Sequence, residues 1–166
     1  NVLQTAIGGG ASFSSGGPGK GMYTRLYQNV LGQHHWVENV SSFLDAYTDA
    51  GLLGIQGTIP ADAVGSFTDV VLNEVQQLPE NLSDEEIFRA KNMYKTVLLQ
   101  HIEQNVERTE EMARHTQLFG DYKMDQFIQQ LDALQPADVK NIAKAIFDQP
   151  MTVVTHGDAS QIPREL

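Results

Sequence analysis

The chain reads as an α+β domain in which helices pack on a largely antiparallel sheet. Three observations predict it: a β-hairpin pattern across 36–59, amphipathic helical stripes after it, and an element order of helix, loop, helix, two strands, several helices and a strand. With 166 residues, 41% of them hydrophobic, there is apolar material for one core and too little chain for two, so 1–166 is read as one domain.

Residues 1–7, with Val2, Leu3, Ala6 and Ile7, read as the end of a helix. It stops at Gly8-Gly9-Gly10, because each glycine carries a high backbone-entropy cost in helical form. A loop is expected from there to Gly21. Met22, Leu26, Val30 and Leu31, with Tyr23 and Tyr27 four apart, have helical spacing, and Gly32 is placed to follow that helix as its C′ residue.

Residues 36–47 and 52–59 are rich in Val, Ile, Phe, Tyr and Thr around the turn Thr48-Asp49-Ala50-Gly51. In the second strand Leu53, Ile55 and Ile59 share a face, Gly54 and Gly57 leave room for a neighbouring backbone, and Pro60 ends the run. Val64, Phe67, Val71, Val75 and Leu78 then form one stripe of a helix from Ala61 to Leu78. After Pro79, Ser83-Asp84-Glu85-Glu86 is a capping box that opens a long helix through Ile87, Ala90, Tyr94, Val97, Leu98, Ile102 and Val106 to Gly120. Met124, Phe127, Ile128 and Leu131 predict a short helix, and Pro136 opens another through Val139, Ile142, Ala143 and Phe147 that Pro150 closes.

Met151-Thr152-Val153-Val154-Thr155 is expected to return as a strand, followed by a frayed tail over 157–166. A sheet of only three strands is small, so the first strand or strands are expected either upstream or from another polypeptide. Asn1 opens inside an apolar segment without an initiator Met, which reads as a fragment or processed product.

Eleven Lys and Arg against 21 Asp and Glu give a formal net charge of −10, which repels phosphate backbones and argues against nucleic-acid binding. A cationic partner fits better. No run of about 18 apolar residues is present to span a bilayer as a helix. The absence of Cys removes disulfides, thiolate catalysis and Cys-based metal sites.

Seven of the 14 glycines fall in Gly8–Gly21, GGGASFSSGGPGKG. A phosphate-binding loop would need glycine where Ser14 stands and Ser or Thr where Gly21 stands. The dinucleotide fingerprint would need glycine at Met22 or Phe13. Two readings remain: a glycine-serine linker, or a loop whose bare amides lie against an extended peptide. Phe13 and Pro18 favour the second, since a spacer needs neither.

The run GGGASFSSGGPGKGMYTRLY over 8–27 resembles the glycine-rich signature of the α subunits of mitochondrial processing peptidase, in the inverzincin, pitrilysin-like M16 superfamily. Ala11 stands where a fourth glycine is usual, Ser15 where alanine is common and Thr24 where serine is common. Asn29-Val30-Leu31, His35-Trp36-Val37, Tyr47 to Leu52, Arg89 to Asn92 and Val154 to Asp158 are also similar, so the resemblance covers nearly the whole chain.

The resemblance implies an M16-like C-terminal half-domain. It implies a substrate-binding segment of Gly8, Gly9, Gly10, Ala11, Ser12, Phe13, Ser14, Ser15, Gly16, Gly17, Pro18, Gly19, Lys20 and Gly21 that takes up basic mitochondrial presequence peptides. Hydrolysis is then expected on a zinc-bearing β subunit, this chain holding no cofactor. The implied location is the mitochondrial matrix, or the matrix face of the inner membrane if the chain also serves as a core protein of the cytochrome bc1 complex (complex III) beside its other subunits.

A zinc site of this superfamily needs H-x-x-E-H on a helix. The comparable string, His35-Trp36-Val37-Glu38-Asn39, has Asn for the second His and lies in a strand-like context. The chain therefore reads as non-catalytic rather than as a free-standing zinc peptidase. Glu103, Glu107 and Glu111 are spaced to line one face of the long helix, an acidic wall for Arg-rich peptides or a solvated face balanced by Arg108 and Arg114.

Overall fold

The computed structural model describes residues 1–11, 22–47 and 49–158. The element order is α1 (Val2–Ile7), β1 (Gly9–Ala11), a π-helix (Leu26–Leu31), β2 (Asn39–Ala46), β3 (Gly51–Thr58), a 3₁₀ turn (Ala61–Ala63), α2 (Val64–Asn81), α3 (Asp84–Glu103), α4 (Asn105–Phe119), α5 (Met124–Ala133) and α6 (Pro136–Phe147). The fold is α+β, with an antiparallel sheet in the order β1-β2-β3.

The hairpin forms as its composition predicts, with Val40 opposite Gly57 and Leu44 opposite Leu53. Its turn is closed by the Tyr47 amide on the Ala50 carbonyl at 2.9 Å, and Thr48 of the expected turn lies outside the described residues. Leu53, Ile55 and Ile59 pack on the core, as their shared face implies. Gly54 and Gly57 make room for rings as much as for a backbone. A Cβ would come within 2.2 Å of the Phe43 ring at Gly54, and within 2.3 Å of the Phe67 ring and 3.1 Å of the Asn39 carbonyl at Gly57.

The core gathers Val2, Leu3, Ala6 and Ile7 from α1, Leu26, Val30 and Leu31 from the π-helix, and Val40 from β2. Leu78, Ile87, Ala90, Leu131, Val139 and Ala143 close it from the later helices. α1 packs on α3, and α2 packs on α6. Lys95 on Asp132 at 2.7 Å and Lys140 on Asp84 at 2.6 Å add exposed ion pairs between α3 and its neighbours.

Five expectations need correction. The third strand is Gly9–Ala11, inside the stretch expected as loop, while Met151–Thr155 joins no sheet among the described residues and leaves Val154 86% exposed. β-branched residues favour a strand only where an edge is available to pair with. Residues 159–166 of the expected frayed tail lie outside the described residues.

α2 continues through Pro79 to Asn81. A proline so near the end of a helix costs little, since few backbone bonds remain to be lost. The helix expected over 84–120 divides at Gln104, whose ψ of 125° is extended. Beyond Leu98 the apolar stripe fails to find a core: Val106 is 70% exposed, and His115 is the one buried residue in α4. After Tyr23 the chain enters a π-helix, with the Gly32 amide on the Tyr27 carbonyl at 2.7 Å, and Gly32 stays right-handed at φ −71° instead of turning as a left-handed C′ glycine.

Arg25 is the buried polar hub. Its guanidinium donates to Glu86 at 2.9 and 3.2 Å, to Glu74 at 3.2 Å and to the Asn81 carbonyl. Asn29 donates to the other Glu74 oxygen at 3.0 Å. Glu86 also completes the capping box with Ser83, whose amide donates to it at 2.8 Å. One side chain thus joins the π-helix to the end of α2 and the start of α3.

Removing one member of a buried ion network leaves the others unpaired, at a cost of about 3–5 kcal/mol. Arg25→Met is therefore expected to lower unfolding stability by about that amount in urea titration. A loss below about 1 kcal/mol would show the network to be dispensable.

Burial opposes ionisation of Glu86, but the Ser83 hydrogen bonds and Arg25 outweigh it and hold the carboxyl below its ordinary value of 4.5. Such a group stabilises the fold fully above that value and ceases to do so as pH falls through the lower folded-state value. Stability should therefore fall less steeply below about pH 4.5 in Glu86→Gln than in the unmodified protein, and parallel acid-unfolding slopes would exclude Glu86 as a titrating contributor.

Candidate functional site

The glycine-rich segment begins as a strand. Gly8 ends α1 with φ +60° and donates its amide to the Gln4 carbonyl at 2.8 Å. Its own carbonyl accepts from the Ser42 amide at 2.8 Å, and Ser42 Oγ lies 3.0 Å from both the Gln4 and Gly8 carbonyls. Gly9, Gly10 and Ala11 then pair with Ser41, Val40 and Asn39.

Gly9 is glycine for two reasons. Its φ is +127°, and a Cβ there would meet the Val40 carbonyl at 2.2 Å and Ser41 Cα at 2.6 Å. Both obstacles are backbone of the neighbouring strand and cannot swing aside. At Gly10 a Cβ would touch only the Tyr27 and Leu31 side chains, no closer than 3.7 Å.

The three consecutive residues Tyr23, Thr24 and Arg25, beyond the segment's far end, are fastened to β1, α2 and α3. Arg25 is held as described. Thr24 Oγ1 accepts the Gly9 amide at 3.2 Å, and its side chain fills the space a Gly8 Cβ would occupy. Tyr23 lies under Arg89 of α3, with the guanidinium carbon 5.3 Å from the ring centroid and Nη1 3.4 Å from the Tyr23 carbonyl. Arg89 is itself paired with Glu85 at 2.8 Å.

The described residues on either side of 12–21 therefore meet, Gly9 and Thr24 being hydrogen-bonded to each other. Of the expected site residues, Gly8, Gly9, Gly10 and Ala11 are brought to this base. Ser12, Phe13, Ser14, Ser15, Gly16, Gly17, Pro18, Gly19, Lys20 and Gly21 lie outside the described residues. The Gly9 amide and the Gly8 carbonyl are committed to Thr24 and Ser42, so these two glycines serve the fold first. Tyr23, Thr24, Arg25 and Arg89 were not among the expected site residues. The local signal was Arg25 interrupting an apolar run, whereas its partners Glu74 and Glu86 lie far along the chain.

The residues that might hold a metal do not fit one. His35 and Glu38 are exposed on either side of Val37, which is fully buried, and the His34 ring lies tilted against Trp36 with centroids 5.4 Å apart. The described residues contain no group of three or more His, Asp or Glu that could hold an ion. The acidic wall is also broken up. The division at Gln104 takes Glu103 out of register with α4, and Glu111 turns to Arg114 and to His115 Nε2 at 3.1 Å. His115 is packed edge-on against Phe119, Tyr122 and Phe127.

The family model described as "Peptidase M16 inactive domain" matches residues 1–94. The chain is 34% identical over 165 residues to the mitochondrial-processing peptidase subunit alpha of Solanum tuberosum, covering 98% of this chain and 33% of that protein. The proteins of the same name from Neurospora crassa and Bos taurus are 37% and 33% identical, over 87% and 98% of this chain and 26% and 31% of theirs. The chain thus spans about a quarter to a third of these relatives. Among solved structures, a chain of Complex III2 from Candida albicans, Inz-5 bound, has the same fold with a TM-score of 0.73 at 23% identity, over 87% of this chain and 34% of that one.

The base geometry separates neighbouring glycines. Gly9→Ala should cost more than about 2 kcal/mol through strain and backbone overlap, while Gly10→Ala should stay within about 1 kcal/mol. Thermal denaturation followed by circular dichroism checks this, and equal effects at the two positions would contradict the pairing of β1 with β2.

Proposed function

Since the chain belongs to the peptidase M16 inactive-domain family, we propose that it forms part of a non-catalytic, substrate-recognising α subunit of the mitochondrial processing peptidase. The glycine-rich loop takes up N-terminal presequences, and cleavage takes place on a zinc-bearing β subunit. The relatives carry that subunit's name, which supports a mitochondrial location, and the reading places the subunit on the matrix side.

The observation that carries the reading is the closed base: the described residues flanking 12–21, β1 on one side and Tyr23, Thr24 and Arg25 on the other, are fastened at one place on the fold. A segment held at both ends has already lost part of the freedom it would otherwise lose on binding a peptide. The formal charge of −10 suits presequences, which are Arg-rich and acidic-poor.

A second reading, residence as a core subunit of complex III, is supported by the fold likeness to a chain of Complex III2. The native mass of the purified assembly distinguishes an αβ heterodimer from that larger complex.

Deleting residues 12–19 of the full-length subunit, reconstituted with its β partner, should weaken binding of a labelled presequence peptide at least about tenfold. Co-purification of the two subunits should be unaffected, because Gly8–Ala11 and Met22–Arg25 keep the base intact. Unchanged affinity in a correctly assembled enzyme would reduce the segment to a linker.

A further inference from the structure

We propose that the outer edge of β3 takes up an extended strand from the remainder of the same subunit, outside residues 1–166. The proposal rests on the reading that the chain is part of a longer subunit, and not on the glycine-rich loop. The Tyr47 amide on the Ala50 carbonyl fixes which groups of the hairpin face each other. With the β2–β3 register, Leu52, Gly54 and Gln56 turn N–H and C=O toward β2, and Leu53, Ile55 and Gly57 turn theirs to the opposite side. In the order β1-β2-β3 that side is the end of the sheet, and no hydrogen bond among the described residues reaches it.

β3 carries none of the features that keep an edge from pairing. Gly51–Thr58 has no charged residue and no proline, and its eight residues run opposite β2 without a bulge. Leu53 and Ile55 are half-buried against the core, and Leu52 on the other face is 54% exposed. Bare amides flanked by apolar side chains fit an extended segment. Its backbone bonds to the edge, and apolar residues at every second position continue the core face beside Leu53 and Ile55.

Charge and length select the occupant. An Arg-rich presequence finds no carboxylate on β3. The chain covers 33% of the Solanum tuberosum relative and 34% of the Candida albicans chain, so a subunit of that length has more residues outside this region than within it. A strand joined through its own backbone arrives at high effective concentration, whereas a second copy or a free peptide loses translational and rotational freedom on docking.

The test is hydrogen exchange resolved to single amides on the full-length subunit, first alone and then with its β partner and a presequence peptide. In the subunit alone, Leu53, Ile55 and Gly57 should exchange within about tenfold of Gly54 and Gln56, at rates independent of protein concentration. Exchange at least about a hundredfold faster than at Gly54 and Gln56 would show an open edge and overturn the proposal. Protection that appears only at raised concentration, with the β partner or with the peptide would assign the edge to a second copy, the partner or the substrate, and would overturn it equally. Failure to assemble with the β partner or to bind the peptide would instead overturn the proposed function and leave the exchange result on the subunit alone unaffected.

Discussion

A guanidinium withdrawn from water needs acceptors for its N–H groups, and Arg25 finds four by drawing together three elements that no continuous apolar stripe would join. Its fork matches the Glu86 carboxylate, a third nitrogen contact reaches Glu74, and the Asn81 carbonyl is one of those left over at the end of α2. The helix end and the charged side chain therefore satisfy each other. Glu86 is shared between this network and the cap of α3, so the start of α3 and the re-entry point of the glycine-rich segment are fixed by one carboxylate. Shifting either would disturb both.

On the other side of the base the constraint is steric. β1 approaches β2 so closely at Gly9 that no side chain fits, and the Gly9 amide, turned toward Thr24, is satisfied by a hydroxyl. Thr24 in turn occupies the space that glycine leaves open at position 8. The first glycines of the run thus allow two backbones and one side chain to interlock. The Thr24 methyl packs over Gly8 while its hydroxyl accepts the Gly9 amide.

What was legible in the sequence is what is local. The Ser83–Glu86 capping box, the hairpin around 47–50 and the start of α6 at Pro136 each depend on residues within a few positions of one another, and all form as read. Glu86 was recognised as a cap, but its second partner lies 61 residues away and leaves no trace in spacing. The β1 strand was hidden because glycine has poor strand propensity, and only its partner's backbone explains it. Met151–Thr155 erred in the opposite direction: its propensity is strong, and no edge among the described residues receives it. The division at Gln104 was missed because no Gly or Pro marks it, and what fails there is the supply of core beneath Val106.

The base combines fastenings of graded burial, and this bears on how a loop can change without endangering the fold beneath it. Thr24 and Arg25 are 5% and 9% exposed, and any change there meets the penalty for unpaired polar groups. Tyr23 and Arg89 meet at the surface, where an aromatic face and a cation attract each other in partial contact with water and the interaction is correspondingly weak. Glycine residues that a fold requires for close packing are separable, on the same reasoning, from those a loop carries for its own purposes. Gly9 belongs to the first kind, because the atoms it would displace are backbone. Gly10, which faces only the ends of Tyr27 and Leu31, is not held by that constraint.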